Sequence, residues 1–244
     1  MGYRSLSKVK CNIYIFNLLI NYFYNMKNII ILGTGGLAAQ LTFYIEDNNS
    51  KVGNDEKYNI LGYIDFDYNI DKYWKKYNFK NPVLCDIESY IPKETEEVLI
   101  AISDVKFRNK MIDILTKKKA KIGNFIHSTV IISKSQKLGV GNIVMPFCEI
   151  EPNSQVGDYN ILTPYSFISH DSIVGSGNFF SKAGIAGHAK VGSNNYFGLG
   201  SIVIPHVNIG NNNIIMAGMV VSKSVKDDTT VFYRFKEKVL AIPK

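Results

Sequence analysis

A six-residue repeat of apolar side chains constrains the fold of this chain more than any other feature. The first register places an apolar residue at every sixth position, and its members are Ile132, Leu138, Val144, Ile150, Val156, Leu162, Ile168, Val174 and Phe180. The register then slips back by one residue and resumes through Ile185, Val191, Phe197, Val203, Ile209, Ile215 and Val221. A period of six fits neither a helix nor a lone strand, so the repeat predicts a coil that closes on itself around these side chains.

Glycine adds a second period of three hexads. Gly139, Gly157 and Gly175 each lie three hexads apart, and Gly192 and Gly210 continue the series after the slip. Three hexads therefore predict one triangular turn, in which glycine supplies the backbone freedom that one corner requires. Stacked turns of this kind lie about 4.8 Å apart. The stretch predicts a prism-shaped parallel β-solenoid of about five turns.

The segment before the repeat predicts a small α/β domain. Residues 28–32 predict a buried strand, Gly33-Thr34-Gly35-Gly36 a tight turn, and residues 37–46 a helix. Strand, glycine turn and helix form the phosphate-binding arrangement of a Rossmann-like unit. The turn lacks the last glycine of GxGxxG, and Asp65 lies farther along than a ribose-binding carboxylate usually does, so a tight turn without NAD is favoured.

The remaining elements complete the predicted domain organisation. Strands are predicted at 60–64 and 98–103 and a helix at 105–118. Four segments follow from this: an N-terminal extension (1–25), a Rossmann-like nucleotide-sugar-binding domain (26–125), a β-helix (126–225) and a C-terminal tail (226–244). The repeat is predicted to stop at Val221, with an extended exit and a short basic helix after it.

Charge and cysteine content exclude several classes of protein. The net charge of +7 is spread along the chain, which favours anionic ligands such as cofactor phosphates and does not favour nucleic acid. Cys11, Cys85 and Cys148 are widely spaced without a CxxC pair, which argues against a disulfide framework and a structural zinc site. A reducing cytoplasm fits this pattern best.

The N-terminal extension, 1–25, is predicted to be neither a signal peptide nor a membrane span. Three basic residues precede the apolar run 11–24, but asparagines interrupt the run, no small-residue cleavage site follows, and its length is too short to cross a bilayer. Two interpretations stay open: translation begins at Met26, or the segment is an amphipathic packing or surface element.

One polar side chain of the repeat is not required by its turns. His170 occupies the third position of its hexad, where the preceding turn has Pro152 and the following turn Gly187. A neutral imidazole accepts a proton from an amine or a hydroxyl near pH 7, and a nearby carboxylate holds it in the right tautomer. Asp171 is the nearest carboxylate in sequence. His170 is therefore the candidate general base, with a surface histidine at a turn as the alternative.

The other histidines suggest a second chemistry. His188 and His206 occupy the fourth position of successive hexads, so they do not share a column with His170. Two stacked imidazoles and a third from a neighbouring chain would form a zinc site of the carbonic anhydrase type. His127 precedes the repeat and is predicted to be structural.

Several segments carry a family resemblance: GTGGLA, GYIDFD, VLIAISD, NFIHSTVII, FISHDSIVG and VGSNNYFGLGSIVIPHVNIG. Over about residues 28–225 they resemble the bacterial sugar O- and N-acyltransferases of the left-handed β-helix class. That family includes sialic acid O-acetyltransferases and N-acetyltransferases of nucleotide-linked 4-amino sugars. The resemblance implies left-handed winding, a homotrimer, and acetyl-CoA as co-substrate between neighbouring prisms.

The resemblance also implies roles for residues of the solenoid. His170 matches the general base of the family, and Asp171 matches its acidic neighbour. Gly187 matches the glycine whose N–H meets the acetyl carbonyl, which makes it a candidate oxyanion donor. Ala217 and Gly218 match the late turn that lines the pantetheine of the cofactor.

In the N-terminal domain, the resemblance implies that Gly33, Gly35, Gly36 and Asp65 form the pocket for the nucleotide sugar. The chain departs from the family pattern in three places. Phe179 replaces a second histidine nine residues after the base, Leu37 replaces a histidine of the glycine turn, and VFYRFKEK replaces the usual GxPA ending.

The combined expectation is a cytoplasmic, acetyl-CoA-dependent N-acetyltransferase that acts on a nucleotide-linked amino-deoxy sugar for a surface glycan. His170 would deprotonate the acceptor in a direct transfer that requires no metal and no covalent enzyme intermediate. A sialic acid type of O-acetyltransferase, a zinc-dependent enzyme of the carbonic anhydrase type and a non-catalytic assembly subunit stay open as alternatives.

Overall fold

The computed structural model describes residues 26–66 and 76–233. The backbone divides into two compact units, one comprising residues up to 102 and 110–123, and the other comprising 103–109 and residues from 124 onward. The extension 1–25 and the predicted basic helix after Tyr233 lie outside the described residues. Among the residues that are described, no helix combines the length and the apolar character that crossing a bilayer demands.

The first unit contains a four-stranded parallel sheet with the order β3-β2-β1-β4. Its strands are β1 (Lys27–Leu32), β2 (Tyr58–Asp65), β3 (Val83–Asp86) and β4 (Glu97–Ile100). The helices of this part of the chain are α1 (Gly36–Asn49), the short 3-10 helix Asn54–Glu56 and α2 (Val105–Lys117).

The position of β1 explains its unbroken apolar sequence. β1 lies between β2 and β4, and residues 29–32 are fully buried. Parallel strands that are covered on both faces show such continuous apolar runs. The predicted strand, glycine turn and helix are confirmed, whereas the strand predicted at 98–103 ends at Ile100.

The second unit is a parallel β-solenoid, as predicted. Two-residue strands form three sheets, one strand of each sheet per turn. The five-stranded sheet contains β7 (Lys137–Leu138), β10 (Gln155–Val156), β13 (Ile173–Val174), β16 (Lys190–Val191) and β19 (Asn208–Ile209). The six-stranded sheet contains β6 (Ile131–Ile132), β9 (Glu149–Ile150), β12 (Phe167–Ile168), β15 (Gly184–Ile185), β18 (Ile202–Val203) and β21 (Val220–Val221). The seven-stranded sheet contains β5 (Phe125–Ile126), β8 (Ile143–Val144), β11 (Ile161–Leu162), β14 (Phe179–Phe180), β17 (Tyr196–Phe197), β20 (Ile214–Ile215) and β22 (Thr230–Val231).

The hexad residues form the core of this solenoid. Each one is the second residue of its strand, and its side chain belongs to the buried cluster or packs against it. The register slip is also confirmed, because Ile168 pairs with Ile185 although their separation is one residue short of three hexads. The missing residue shortens the turn after Phe180 without disturbing the pairing of the sheets.

The repeat continues beyond Val221, so the prediction of an extended exit there was wrong. β22 pairs with β20, and Val225 forms a bridge with Ile209. The spacing from Val221 to Val225 is four residues instead of six, which hides this turn from a search for the period. Val225 and Val231 still pack against the core, so apolar burial holds the last turn in place.

The reason predicted for the glycine column was also wrong. None of the five column glycines has a positive φ. At Gly175 an added Cβ would lie 2.8 Å from the carbonyl carbon and oxygen of Gly192 in the next turn. The column therefore contains glycine because the stacked backbones leave no room for a side chain. Positive φ occurs elsewhere in the corners, for example at Gly200 (φ +69).

This correction predicts that Gly175→Ala destabilises the solenoid more than Gly200→Ala does. The methyl group at 175 meets backbone that cannot move aside, which we expect to cost about 3 kcal/mol. At Gly200 no atom lies within 4 Å of an added Cβ. Only the positive φ is unfavourable for alanine there, and we expect it to lower the free energy of unfolding by about 1 kcal/mol. Urea unfolding of both variants gives the comparison. An equal loss at the two positions would mean that steric exclusion does not explain the column.

A buried asparagine ladder runs along the corner between the five-stranded and seven-stranded sheets. Its members are Asn124, Asn142, Asn160, Asn178, Asn195 and Asn213. The side-chain oxygen of each accepts a hydrogen bond from the backbone N–H of the next, at 2.8–2.9 Å. The ladder satisfies backbone groups that the sheets leave unpaired at this corner. Its members recur once per turn, including the shortened turn, so the ladder was visible in the sequence.

Candidate active site

His170 lies at the corner where the chain passes from β12 to β13. We call the stack of these corners in successive turns the histidine corner. It comprises residues 151–153, 169–171, 186–188 and 204–206. The pairing of β12 with β9 and β15 places His170 level with Pro152 and Gly187, as predicted. The side chain is about half exposed, with a relative accessibility of 53%. An exposed imidazole at an ordered corner is accessible to a ligand.

His170 and Asp171 face each other although they are adjacent in sequence. His170 Nδ1 lies 2.9 Å from Asp171 Oδ2. Asp171 has φ 58°, and this left-handed backbone conformation turns its side chain toward the imidazole. The hydrogen bond from His170, with a weaker one from Asn153, holds the pKa of the Asp171 carboxyl below its usual range. Asp171 therefore stays ionised and acts as an acceptor.

This hydrogen bond determines the tautomer of His170. An ionised carboxylate only accepts, so Nδ1 must carry the proton. In the neutral imidazole the other nitrogen, Nε2, then has a free lone pair. The His170–Asp171 pair thus has the arrangement in which a carboxylate orients an imidazole for proton abstraction at Nε2.

Gly187 lies against the His170 ring. An added Cβ at this position would lie 2.9 Å from both Cε1 and Nε2 of His170. Gly187 is buried, and within residues 26–66 and 76–233 its N–H has no hydrogen-bond acceptor. The equivalent positions in the two adjacent turns are His170, whose N–H donates to Glu151 Oε2, and Pro205, which has no N–H. Within the described part of the chain, the Gly187 N–H is therefore a donor without a partner, in a residue that lies against the His170 ring.

We expect Gly187→Ala to displace the imidazole without removing it. The new methyl group overlaps the ring, and a displacement of about 1 Å costs up to about 10²-fold in rate. The solenoid should stay folded, because His170 can turn into solvent. Turnover and thermal unfolding should be measured together, with Gly200→Ala as the matched glycine control. Wild-type turnover in Gly187→Ala would show that the ring does not need this position.

His188 and His206 occupy one column of the histidine corner, as predicted. Their rings are parallel, with centroids 4.9 Å apart and an interplanar angle of 4°. His188 also contacts His170 edge to face, with centroids 5.2 Å apart. Its Nε2 lies 3.9 Å from Asp171 Oδ2. The donors that could hold a metal ion are thus His170, Asp171 and His188, a different set from the predicted pair of His188 and His206.

Ala217 and Gly218 lie at a different corner from His170. They follow β20, at the corner between the seven-stranded and six-stranded sheets, and both are exposed. Gly218 has φ 71°, and its carbonyl accepts a hydrogen bond from the Tyr233 hydroxyl at 3.3 Å. The six-stranded sheet separates this corner from the histidine corner, so one chain does not bring the two groups of predicted site residues together.

The predicted sugar pocket lies at the carboxyl ends of β1 and β2. Thr34 Oγ1 donates a hydrogen bond of 2.6 Å to Asp65 Oδ2. Gly33 has φ 111°, and an added Cβ would lie 2.9 Å from the carbonyl oxygen of Ala101. Gly35 and Gly36 begin α1. The sheet order reverses beside β1, and open α/β sheets bind ligands at such a point.

Two residues that support the histidine corner were not singled out from the sequence. Glu151 Oε2 accepts a hydrogen bond of 2.9 Å from the backbone N–H of His170. Asn153 Nδ2 donates to Asp171 Oδ1 at 3.3 Å. Asn153 precedes Asp171 by one full turn of three hexads, so the repeat period could have identified it. His127, which was predicted to be structural, is buried.

Comparisons with known proteins agree with this architecture. Residues 28–115 match the PglD N-terminal domain. The structure of PerB from Caulobacter crescentus, in complex with CoA and GDP-perosamine, is 25% identical, with a TM-score of 0.69, over 83% of this chain and 92% of that chain. A mutant of GDP-perosamine N-acetyltransferase from the same organism has a TM-score of 0.71 at 25% identity and the same coverage.

More distant structures share the fold alone. The acetyltransferase domain of PglB from Neisseria gonorrhoeae is 17% identical, with a TM-score of 0.69, over 84% of this chain and 95% of that chain. No curated protein sequence matches the chain. The N-terminal domain match, the hexapeptide solenoid and the similarity to PerB agree with each other. Residues 28–115 therefore match a PglD N-terminal domain, and the chain as a whole is similar in fold to PerB.

Proposed function

We propose that this protein transfers the acetyl group of acetyl-CoA to the amine of a nucleotide-linked amino-deoxy sugar. The observation that carries the proposal is the His170–Asp171 pair beside the free N–H of Gly187. The pair supplies a base, and the N–H supplies a donor for a developing negative charge. The acceptor class is supported by PerB, a relative at 25% identity whose structure contains CoA and GDP-perosamine.

In the proposed mechanism the acceptor amine attacks the thioester carbonyl directly. His170 Nε2 accepts the proton of the amine, and Asp171 stabilises the resulting imidazolium. The Gly187 N–H donates to the oxyanion of the tetrahedral intermediate. When the intermediate collapses, the thiol of CoA leaves with the proton that His170 holds. No covalent enzyme intermediate and no metal ion take part in these steps.

The two substrates would bind to different parts of the protein. Gly33, Gly35, Gly36 and Asp65 would hold the nucleotide sugar through the α1 N-terminus and the Asp65 carboxylate. Ala217 and Gly218 would line the pantetheine. Because one chain presents these residues at a different corner from His170, acetyl-CoA would lie between neighbouring chains of a homotrimer.

The test is thiol release from acetyl-CoA with a panel of acceptors. The panel should contain GDP- and UDP-linked amino sugars, their hydroxyl counterparts and free sialic acid. We expect release with one amino sugar and none with its hydroxyl counterpart. Release with sialic acid alone would replace the proposal with an O-acetyltransferase. Acetyl-CoA binding without release from any acceptor would count against both activities.

A further inference from the structure

The histidine corner brings together three side chains with metal-binding donor atoms. One donor atom from each of His170, Asp171 and His188 lies within 4.8 Å of the others, and all three residues are exposed. Within residues 26–66 and 76–233, this is the only such group of histidine, cysteine and acidic side chains. General-base chemistry needs only His170 and its carboxylate, so the role of His188 is unexplained.

The register slip explains why His188 is part of the group. His188 follows His170 by three full hexads, so an unbroken repeat would stack the two histidines in one column. The turn after Phe180 is one residue short, and His188 lies instead in the column of Asp171. Both residues have the same left-handed backbone conformation, with φ 58° and 60°. The slip thus places a carboxylate between two imidazoles.

The distances in this group suit a small divalent ion. Asp171 Oδ2 lies 2.9 Å from His170 Nδ1 and 3.9 Å from His188 Nε2. Zinc binds imidazole nitrogen and carboxylate oxygen at about 2.0–2.2 Å in tetrahedral geometry, so its ligand atoms lie about 3.3 Å apart. The two observed distances bracket this spacing, and exposed side chains can rotate to close the difference.

The surroundings of the group favour a cation. Glu151 places a second carboxylate at this corner, where its Oε2 accepts the N–H of His170. Asn153 donates to the other oxygen of Asp171, Oδ1, at 3.3 Å and so orients the carboxylate. Hydrogen bonds of this kind, made to a ligating group from outside, fix the orientation of ligands in metal sites.

We propose that His170, Asp171 and His188 bind a divalent transition metal ion of the zinc type and that the bound ion stops acyl transfer. The inhibition rests on the proposed function of His170, whereas the binding does not. An ion on Nδ1 of His170 takes the place of the proton shared with Asp171, and that proton moves to Nε2. Nε2 then carries a hydrogen and has no lone pair with which to accept the proton of an acceptor. In the metal-bound form the histidine corner therefore keeps its structure, but His170 cannot act as a general base.

Direct binding tests the site independently of activity. We expect cobalt(II) to develop visible absorption with one equivalent of the full-length chain, and zinc to displace it. His188→Ala removes one ligand and should weaken binding at least about tenfold. His206→Ala is the matched control, because its ring stacks on His188 but lies outside the group, and its affinity should equal that of the wild type. No absorption, or equal affinity in His188→Ala and the wild type, would overturn the site.

Inhibition is then measured on thiol release with the best acceptor. Zinc should inhibit the wild type reversibly, a chelator should restore the rate, and His188→Ala should need at least about tenfold more zinc for the same inhibition. If the site binds cobalt and zinc but zinc leaves the rate of thiol release unchanged, the inhibitory role is overturned. Cobalt binding without thiol release from any acceptor would overturn the proposed function and its inhibition together, and would leave the metal site standing.

Discussion

Replacing His170 with alanine is expected to lower kcat by about 10²–10⁴-fold while the solenoid stays folded. The substitution removes the Nε2 lone pair, and within this corner Asp171 alone cannot replace it, because a carboxylate with an ordinary pKa of about 4 is a weak base at neutral pH. The folded state should be preserved, because the His170 side chain is half exposed and lies outside the apolar core. Initial rates of thiol release and the unfolding transition should be measured on the same preparations.

His206→Ala provides the matched control for this experiment. His206 has a left-handed backbone like its neighbours in the column, and its imidazole is exposed, but it does not contact His170 or Asp171 among the contacts described. We expect its rate to stay near that of the wild type. A His170→Ala protein that keeps the wild-type rate would eliminate the general-base mechanism. If both variants lose the same fraction of the rate, His170 has no role that distinguishes it from His206.

The second large effect is expected for Asn178→Ala, which interrupts the asparagine ladder. Asn178 Nδ2 donates to Asn160 Oδ1 at 3.0 Å and to the carbonyls of Gly175 and Gly192 at 3.2 and 3.0 Å. Its Oδ1 accepts the backbone N–H and the side-chain amide of Asn195 at 2.9 and 3.0 Å. Alanine leaves several of these buried groups without a partner, at about 1–3 kcal/mol each, so we expect a total loss of about 4 kcal/mol.

Urea unfolding measures this loss, and Asn208→Ala is its control. Asn208 is an exposed residue of the first position of β19, so its replacement should change the free energy of unfolding by less than about 0.5 kcal/mol. If Asn178→Ala costs no more than Asn208→Ala, then the ladder does not stabilise the turns. If Asn178→Ala lowers the free energy of unfolding but leaves kcat unchanged at a temperature where the variant is folded, the ladder contributes to stability and not to catalysis.

The solenoid was predictable because its signal is local and periodic. Each apolar hexad residue, such as Ile168 or Ile185, points inward whatever the neighbouring turns contain, so burial and period agree at every turn. The last turn was missed because a four-residue step from Val221 to Val225 breaks the period while preserving the packing of Val225 against the core. Pattern alone does not distinguish a shortened corner from the end of the repeat.

The repeat and the apolar pattern before it were sufficient to predict the prism, the register slip, the first strand of the N-terminal domain and His170 as the polar residue that no turn requires. These conclusions depend on apolar burial and on spacing along the chain, which a sequence records directly. The contacts between neighbouring turns became visible in the folded chain. It showed that Gly175 is glycine because Gly192 lies against it, that Asp171 faces His170, and that His188 approaches both. Contacts of this kind depend on distances of a few tenths of an ångström between residues of successive turns, and these distances exist only once the turns are stacked.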